Sequence, residues 1–464
     1  MLAKWSERKF LVLCAAAHIL SFGLTFGFLN AYFWDDWYVY FNQTSLDITQ
    51  RIVMSGFNPI RLASEGYLNT HFFQAFRILM FIFYPIAAFC LYKILKTKSY
   101  LNVIEIRGIA LLFLLAPVNS ARAAVILFMY TSCMCAFFIA WYLYESSKNI
   151  ALKFVAICLF IYSFDTASLI PFMALPIAMS FIDSRVNKTR FTTWLRQHFI
   201  LVVIGPIFWV VEPMINPKVF EPRDSYYEPN LAGLTRAMLL LLPLLALAFW
   251  GGWIRKWRYS SHRGQIQIAT GLLTTWLAIF PYMSLGHFAN LNSIFVGFIP
   301  NLSDWDSRHQ LLLPFGIALI ILGVLNYLQT PRIELAILAI ASVFLCLNFT
   351  NTQEYYLDSL KQDQVIAAIQ ETNNIAPYEY LMVSDEAVRF NARGRSIRTY
   401  EWDAIFNEYS GGIPKTTEIN RYIDCQNFRP QVNVIIRATN GRFRALLTRN
   451  LGITLDVVPI DLCR

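Results

Sequence analysis

Runs of about 18 or more mostly apolar residues, separated by short polar connections, recur along this 464-residue chain as far as about residue 350. A hydrocarbon core ~30 Å thick asks for segments of that length, because lipid offers no hydrogen-bond partner to an open backbone and a helix rises only ~1.5 Å per residue. The pattern therefore predicts an all-α polytopic membrane bundle. Charged residues are 15% of the chain, against roughly 25% in soluble proteins, and the deficit is concentrated in these runs. About eleven transmembrane helices are expected, at 10–31, 72–95, 101–118, 120–143, 151–168, 169–183, 198–215, 233–254, 266–285, 309–328 and 332–349. The first follows Lys4, Arg8 and Lys9 as a signal peptide would. Its apolar run exceeds the usual 7–15 or so residues and no small-x-small cleavage site stands out, so it reads as an uncleaved anchor.

Basic residues set the expected orientation, since connections rich in Lys and Arg stay in the cytoplasm. One set of connections carries Lys4, Arg8 and Lys9; Lys93, Lys96 and Lys98; Lys148 and Lys153; Arg185, Lys188, Arg190 and Arg196; then Arg255, Lys256, Arg258 and Arg263. The opposite set offers only Arg51 and Arg61, Arg122, Lys218 and Arg223, and Arg308. The N-terminus is thus expected in the cytoplasm and, after an odd number of spans, the C-terminus outside it. The net charge of +9 is explained by this topology signal and by contact with anionic headgroups. Nothing else supports nucleic-acid binding.

Three parts follow: a transmembrane domain over 1–350, an outer loop at 32–71, and an extracytoplasmic tail over 351–464. Within the loop, Leu46, Ile48, Ile52 and Val53 recur near helical spacing beside Asp47, Gln50 and Arg51. That reads as a helix lying on the membrane surface, with a second at 59–68. In the tail, charge returns abruptly at Asp358, Lys361, Asp363, Glu371, Asp385 and Glu386. Leu357, Leu360, Val365, Ile366 and Ile369 mark an amphipathic helix, and 380–383, 432–436 and 453–460 read as buried strands, together a small α/β domain. Cys425 and Cys463, the two cysteines of the tail, are candidates for a disulfide if it lies outside the cytoplasm, although spacing alone does not establish proximity.

Chemistry concentrates in Tyr32-Phe33-Trp34-Asp35-Asp36-Trp37-Tyr38, directly after the first span. One reading places Trp34, Trp37 and Tyr38 in the interfacial aromatic belt with Asp35 and Asp36 at a helix end. The other starts from desolvation: two anions among bulky rings raise at least one carboxylate pKa, which makes a general base competent near neutral pH. A second cluster, Asp304-Trp305-Asp306-Ser307-Arg308-His309, precedes the tenth span. Arg308 and His309 either snorkel to headgroups or meet a lipid-borne phosphate, whose geometry a guanidinium matches. Arg122, His71 and Asp165 fall near the same membrane face. Each alone is more often structural than functional.

An acidic pair in the first outer loop, surface helices beyond it, an Arg followed closely by Leu311-Leu312-Leu313-Pro314, and an outer C-terminal domain together resemble the polytopic GT-C glycosyltransferases. The resemblance is strongest to bacterial O-antigen-modifying, serotype-converting glucosyltransferases of the inner membrane and cell envelope; the Trp-Trp-Asp-Tyr-Gly motif of oligosaccharyltransferases is missing. It implies a polyprenyl-phosphate-linked sugar donor and a glycan or glycolipid acceptor such as lipopolysaccharide. Asp35 or Asp36 would deprotonate the acceptor hydroxyl. The other would orient it or, as Asp36, hold a divalent metal (Mg or Mn). Arg308, His309 and Arg122 would receive the donor phosphate. Trp34, Trp37, Tyr38, His71, Asp165, Asp304 and Asp306 would line the substrates, with the acceptor in a groove between the first loop and the tail, and the anomeric centre would invert. A transporter or flippase for lipid-linked sugars, or a membrane acyltransferase using His71, His287 or His309, is the competing expectation. Transporters usually place ionisable groups near the midplane between repeated halves.

Overall fold

The computed structural model describes residues 2–34, 36–37, 73–166, 168–215, 234–235, 260–284, 310–372, 374–411, 414–419 and 431–460. The span expected at 233–254, the surface helices of the first loop, and Cys425 with Cys463 lie outside the described residues. The chain is mostly helical: α1 Glu7–Phe22, α2 Phe73–Lys96, α3 Val103–Leu115, α4 Phe128–Ser146, α5 Ile150–Ser163, α6 Leu169–Phe172, α7 Ala174–Val186, α8 Phe191–Ile215, α9 Ser260–Ser284, α10 Leu313–Tyr327 and α11 Ile333–Glu371.

Seven helical stretches among the described residues are long and apolar enough to cross a membrane: Glu7–Gly27, Phe73–Lys96, Val125–Ser146, Leu169–Val186, Phe191–Val211, Arg263–Met283 and Ile333–Glu371. The shorter α5 and α10 are also apolar. With the 13-residue α3, they fall where three further spans were expected. At ~1.5 Å per residue α3 covers only about 20 Å, short of the hydrocarbon thickness. Length and composition thus support seven spans where the sequence suggests eleven.

Polar residues mark where helices begin. Ser6 accepts from Lys9 N, and Asn102 with Glu105 forms a reciprocal capping box at the start of α3, satisfying amides the helix itself leaves open. The bundle core is aromatic: Phe137 meets Phe160 and Phe172 edge-on, and Phe138 stacks with Trp141. Antiparallel α9 and α10 approach most closely along Gly264 and Gly271 facing Gly323 and Gly316. A Cβ on Gly271 would stand 2.8 Å from Gly316 O, and one on Gly323 2.8 Å from Gly264 O, so only glycine lets these backbones meet.

One end of the bundle gathers lysines. Lys93 and Lys96 pair with Glu7 at 2.5 and 2.8 Å, Lys98 pairs with Glu145 at 2.6 Å, and Ser99 donates to Asp183. From this basic end α11 runs 39 residues without interruption into the tail, where a span and a separate amphipathic helix were expected. The tail is the small α/β domain the sequence predicts. β1 (Tyr380–Asp385), β2 (Thr416–Glu418), β3 (Val432–Ala438) and β4 (Ile453–Pro459) form one sheet in the order β2-β1-β3-β4. β1 pairs parallel with β2 and β3, while β4 is antiparallel to β3. α12 (Thr399–Tyr409), α13 (Arg442–Thr448) and the end of α11 cover it. Trp37 joins Leu357, Leu381, Trp402 and Val434 in the tail's hydrophobic core, so the loop after α1 is built into this domain.

Candidate active site

Asp36 sits in a short turn after α1, with its side chain fully buried. Its Oδ2 accepts from Phe33 N at 3.1 Å and Val125 N at 3.0 Å, its Oδ1 accepts from Ile126 N at 2.7 Å, and Arg77 Nη2 stands 3.8 Å away. Burial pushes the Asp36 carboxyl up to about 6, against the lowering pull of Arg77 and the three amides. Arg77, also buried, donates to the carbonyls of Phe28, Ala31 (2.7 Å) and Ala123 (3.1 Å). The pair therefore staples three segments together: the end of α1, the start of α2 and the turn before α4. Both Asp36 oxygens face N–H dipoles and a guanidinium, a surrounding that repels a cation, so Asp36 does not fit a metal-ligand role here.

The adjoining turn is clamped from the tail. Trp34 adopts φ +52°, a left-handed conformation uncommon for bulky residues. Its N–H donates to Glu401 Oε2 at 3.2 Å, and the Arg395 guanidinium lies 5.1 Å from its ring centre. Arg395 forks onto both oxygens of Glu401 at 2.9 and 2.7 Å and reaches Asp358 through Nε at 3.0 Å. Trp37 Nε1 donates to Gln362, which donates in turn to Asp358 at 2.8 Å. For Arg395, burial works against the charge, yet Asp358 and Glu401 overcome it and hold the pKa above its ordinary value.

Between this turn and the tail opens a cavity of about 610 Å³, lined by Asn30, Tyr32, Trp37 and Gln74 on the bundle side and by Gln362, Asp363 and Tyr409 on the tail side. The Tyr32 ring lies 4.9 Å from that of Trp37 and 4.5 Å from that of Phe73. Burial raises the Asp363 pKa. A smaller cavity of about 40 Å³ is lined by His18, Phe22, Arg77, Tyr84, Arg122 and Asn351 among others. Arg122 lies over the Phe22 ring with Tyr84 beside it. Among the described residues its Nη2 finds no hydrogen-bond partner, and neither do His18 Nδ1 and Asn351 Oδ1. Burial lowers the Arg122 pKa to about 10, which leaves it cationic at neutral pH.

Of the residues singled out in the sequence, Trp34, Asp36, Trp37 and Arg122 thus come together at the tail end of the bundle. Asp165 is exposed in the turn after α5, near Tyr162 at the end of α5, which shares a hydrogen bond with Ser132 of α4 at 2.7 Å. Asp35, Tyr38, His71, Asp304, Asp306, Arg308 and His309 lie outside the described residues. The sequence reading missed Arg77, Gln362, Asp363, Arg395 and Glu401. Arg77 carried a signal, being an ionisable residue inside an apolar span. Glu401 carried none, because its partner Trp34 is 367 positions away. Comparison of the chain with protein-family models, with curated proteins and with solved structures finds no match.

Proposed function

We propose that the protein is a membrane glycosyltransferase that moves a sugar from a polyprenyl-phosphate donor to a glycan or glycolipid acceptor on the non-cytoplasmic face of a bacterial inner membrane. The observation that carries this reading is the cavity beside the Asp35-Asp36 turn. Its lining combines the ring faces of Tyr32 and Trp37 with the amides of Asn30, Gln74 and Gln362 and the carboxylate of Asp363. Aromatic faces suit the apolar side of a pyranose, while amides give and take hydrogen bonds and a carboxylate accepts them from sugar hydroxyls.

Asp36 is committed to three amides and Arg77, so its part is to hold the turn in shape, and Asp35 is the base. It takes the proton of the acceptor hydroxyl as that oxygen attacks the anomeric carbon. The bond from that carbon to the phosphate oxygen breaks, polyprenyl phosphate leaves with the bonding pair, and the anomeric centre inverts. Charge gathering on the leaving phosphate calls for fixed cations in a water-poor site. Arg308 fills that role beside His309 just before α10, and Arg122 supports it as a buried cation with an unused N–H. The opposition of a lysine-rich end and a tail end agrees with an N-terminus in the cytoplasm and a tail outside it.

The test is direct. Protein purified into nanodiscs is incubated with polyprenyl-phosphate-linked hexoses and envelope glycans, and released polyprenyl phosphate is measured. Release that needs an acceptor supports the reading. Movement of intact lipid-linked sugar across proteoliposomes, with no release from any donor, would replace it with a flippase.

A further inference from the structure

The lipid-facing sides of the spans expose large apolar residues freely, as at Trp209 (70%) and Phe154 (65%). Among the described residues of the tail, only Phe443 (76%) and Leu447 (70%) are bared to that degree. They stand four positions apart on α13 and so share one face, while Ala445 is buried on the other. Arg442, Arg444 and Arg449, all exposed, surround them.

The contacts of α13 place it against α11. Twenty residues of α11 counted from Ile333 span the ~30 Å hydrocarbon core and end at Thr352. Arg442 pairs with Glu354 at 3.7 Å, and Gln364 Nε2 donates to Arg449 O at 3.1 Å. Hence α13 lies along the part of α11 just beyond that length, with Leu447 about 6 Å from Phe443 along the helix. We propose that this face of α13 docks on the leaflet from which the tail emerges. Phe443 enters the layer between headgroups and acyl chains, and Arg442 and Arg444 meet the phosphates of anionic lipid. An apolar ring flanked by arginines is the chemistry that recognises such a surface. The contact gives the tail a second hold on the membrane beside α11, and it does not depend on what reaction the protein catalyses.

The experiment uses the full-length protein in nanodiscs, with trifluoromethylphenylalanine in place of Phe443 and, as a control, in place of Val458 on β4. Relaxation of the fluorine signal by dissolved oxygen, which partitions into lipid, is compared with relaxation by a water-soluble nickel chelate. Position 443 should be relaxed several-fold more by oxygen relative to nickel than position 458. Arg444→Glu should reduce that contrast in discs containing phosphatidylglycerol more than in discs of phosphatidylcholine alone. Equal ratios at both positions would make the face water-exposed and overturn the proposal. Protection of position 443 from both probes would overturn it too, since a protein segment or second copy would then cover the face.

Discussion

The two ends of the bundle treat charge in opposite ways. At the basic end, Glu7 holds Lys93 and Lys96 with side chains 28 to 44% exposed, so water competes for these partners and their pairing stabilises little; Lys98 and Glu145, at 4 and 7% exposed, are the one buried pair described there. At the tail end, Asp358, Glu401 and Arg395 are 0 to 6% exposed and share one network, a costly arrangement unless every group is engaged. The basic end needs only its sign to remain on one side of the membrane, which a wet lysine accomplishes. The other end needs atoms at defined places, which buried, fully bonded ions supply.

Topology offers the sharpest way to break this contrast. Alkaline phosphatase fused after Thr350 should be active and fused after Arg258 inactive; the reverse pattern would put the acidic turn in the cytoplasm and sink the proposed chemistry. Next in size is Asp35→Asn, expected to lower transfer by about 10²–10⁴-fold with the protein still folded, read from polyprenyl phosphate release at matched expression. Wild-type turnover would return the acids to the interfacial belt. Third, Arg395→Ala strands two buried carboxylates and should cost about 3–5 kcal/mol, whereas Glu7→Gln should cost about 0–1 kcal/mol. Thermal unfolding in detergent compares them, and equal losses would erase the distinction between the ends. The smallest effect is that of pH on Asp36. Its carboxyl is raised from 3.8 to about 6 by burial, so it binds its proton more tightly when folded. Its contribution is complete below about pH 3.8 and lost as pH rises through about 6. Melting temperature should fall across that window in the wild type and less steeply in Asp36→Asn; an unchanged slope would assign the dependence elsewhere.

What the sequence disclosed follows from which forces are local. Apolar runs report lipid directly, so ten of the eleven expected spans coincide with helices, although three are too short to count by length. The strands at 380, 432 and 453 were equally plain as apolar stretches. The span and the amphipathic helix expected on either side of residue 350 are one helix, because the change in composition there marks a change of solvent and no Gly or Pro interrupts the chain from Arg332 to Glu371. Two glycine pairs, each spaced by seven, were visible in α9 and α10 but carry meaning only once the helices are known to face each other. At the site, the aromatic acidic turn announced itself by its own composition. The clamp of Arg395, Glu401 and Asp358 could not, since it joins tail residues to a turn more than three hundred positions earlier.

Continuity of α11 makes the molecule a lever. Its 39 residues reach about 58 Å, so a tilt of about 1° moves the far end by about 1 Å. Helices tilt when bilayer thickness departs from their apolar length, and Gln362 and Asp363 ride on this arm where they line the large cavity. The bonds from Trp34 to Glu401 and from Trp37 to Gln362 are the stays that tie the turn after α1 to the tail at the far end of this arm.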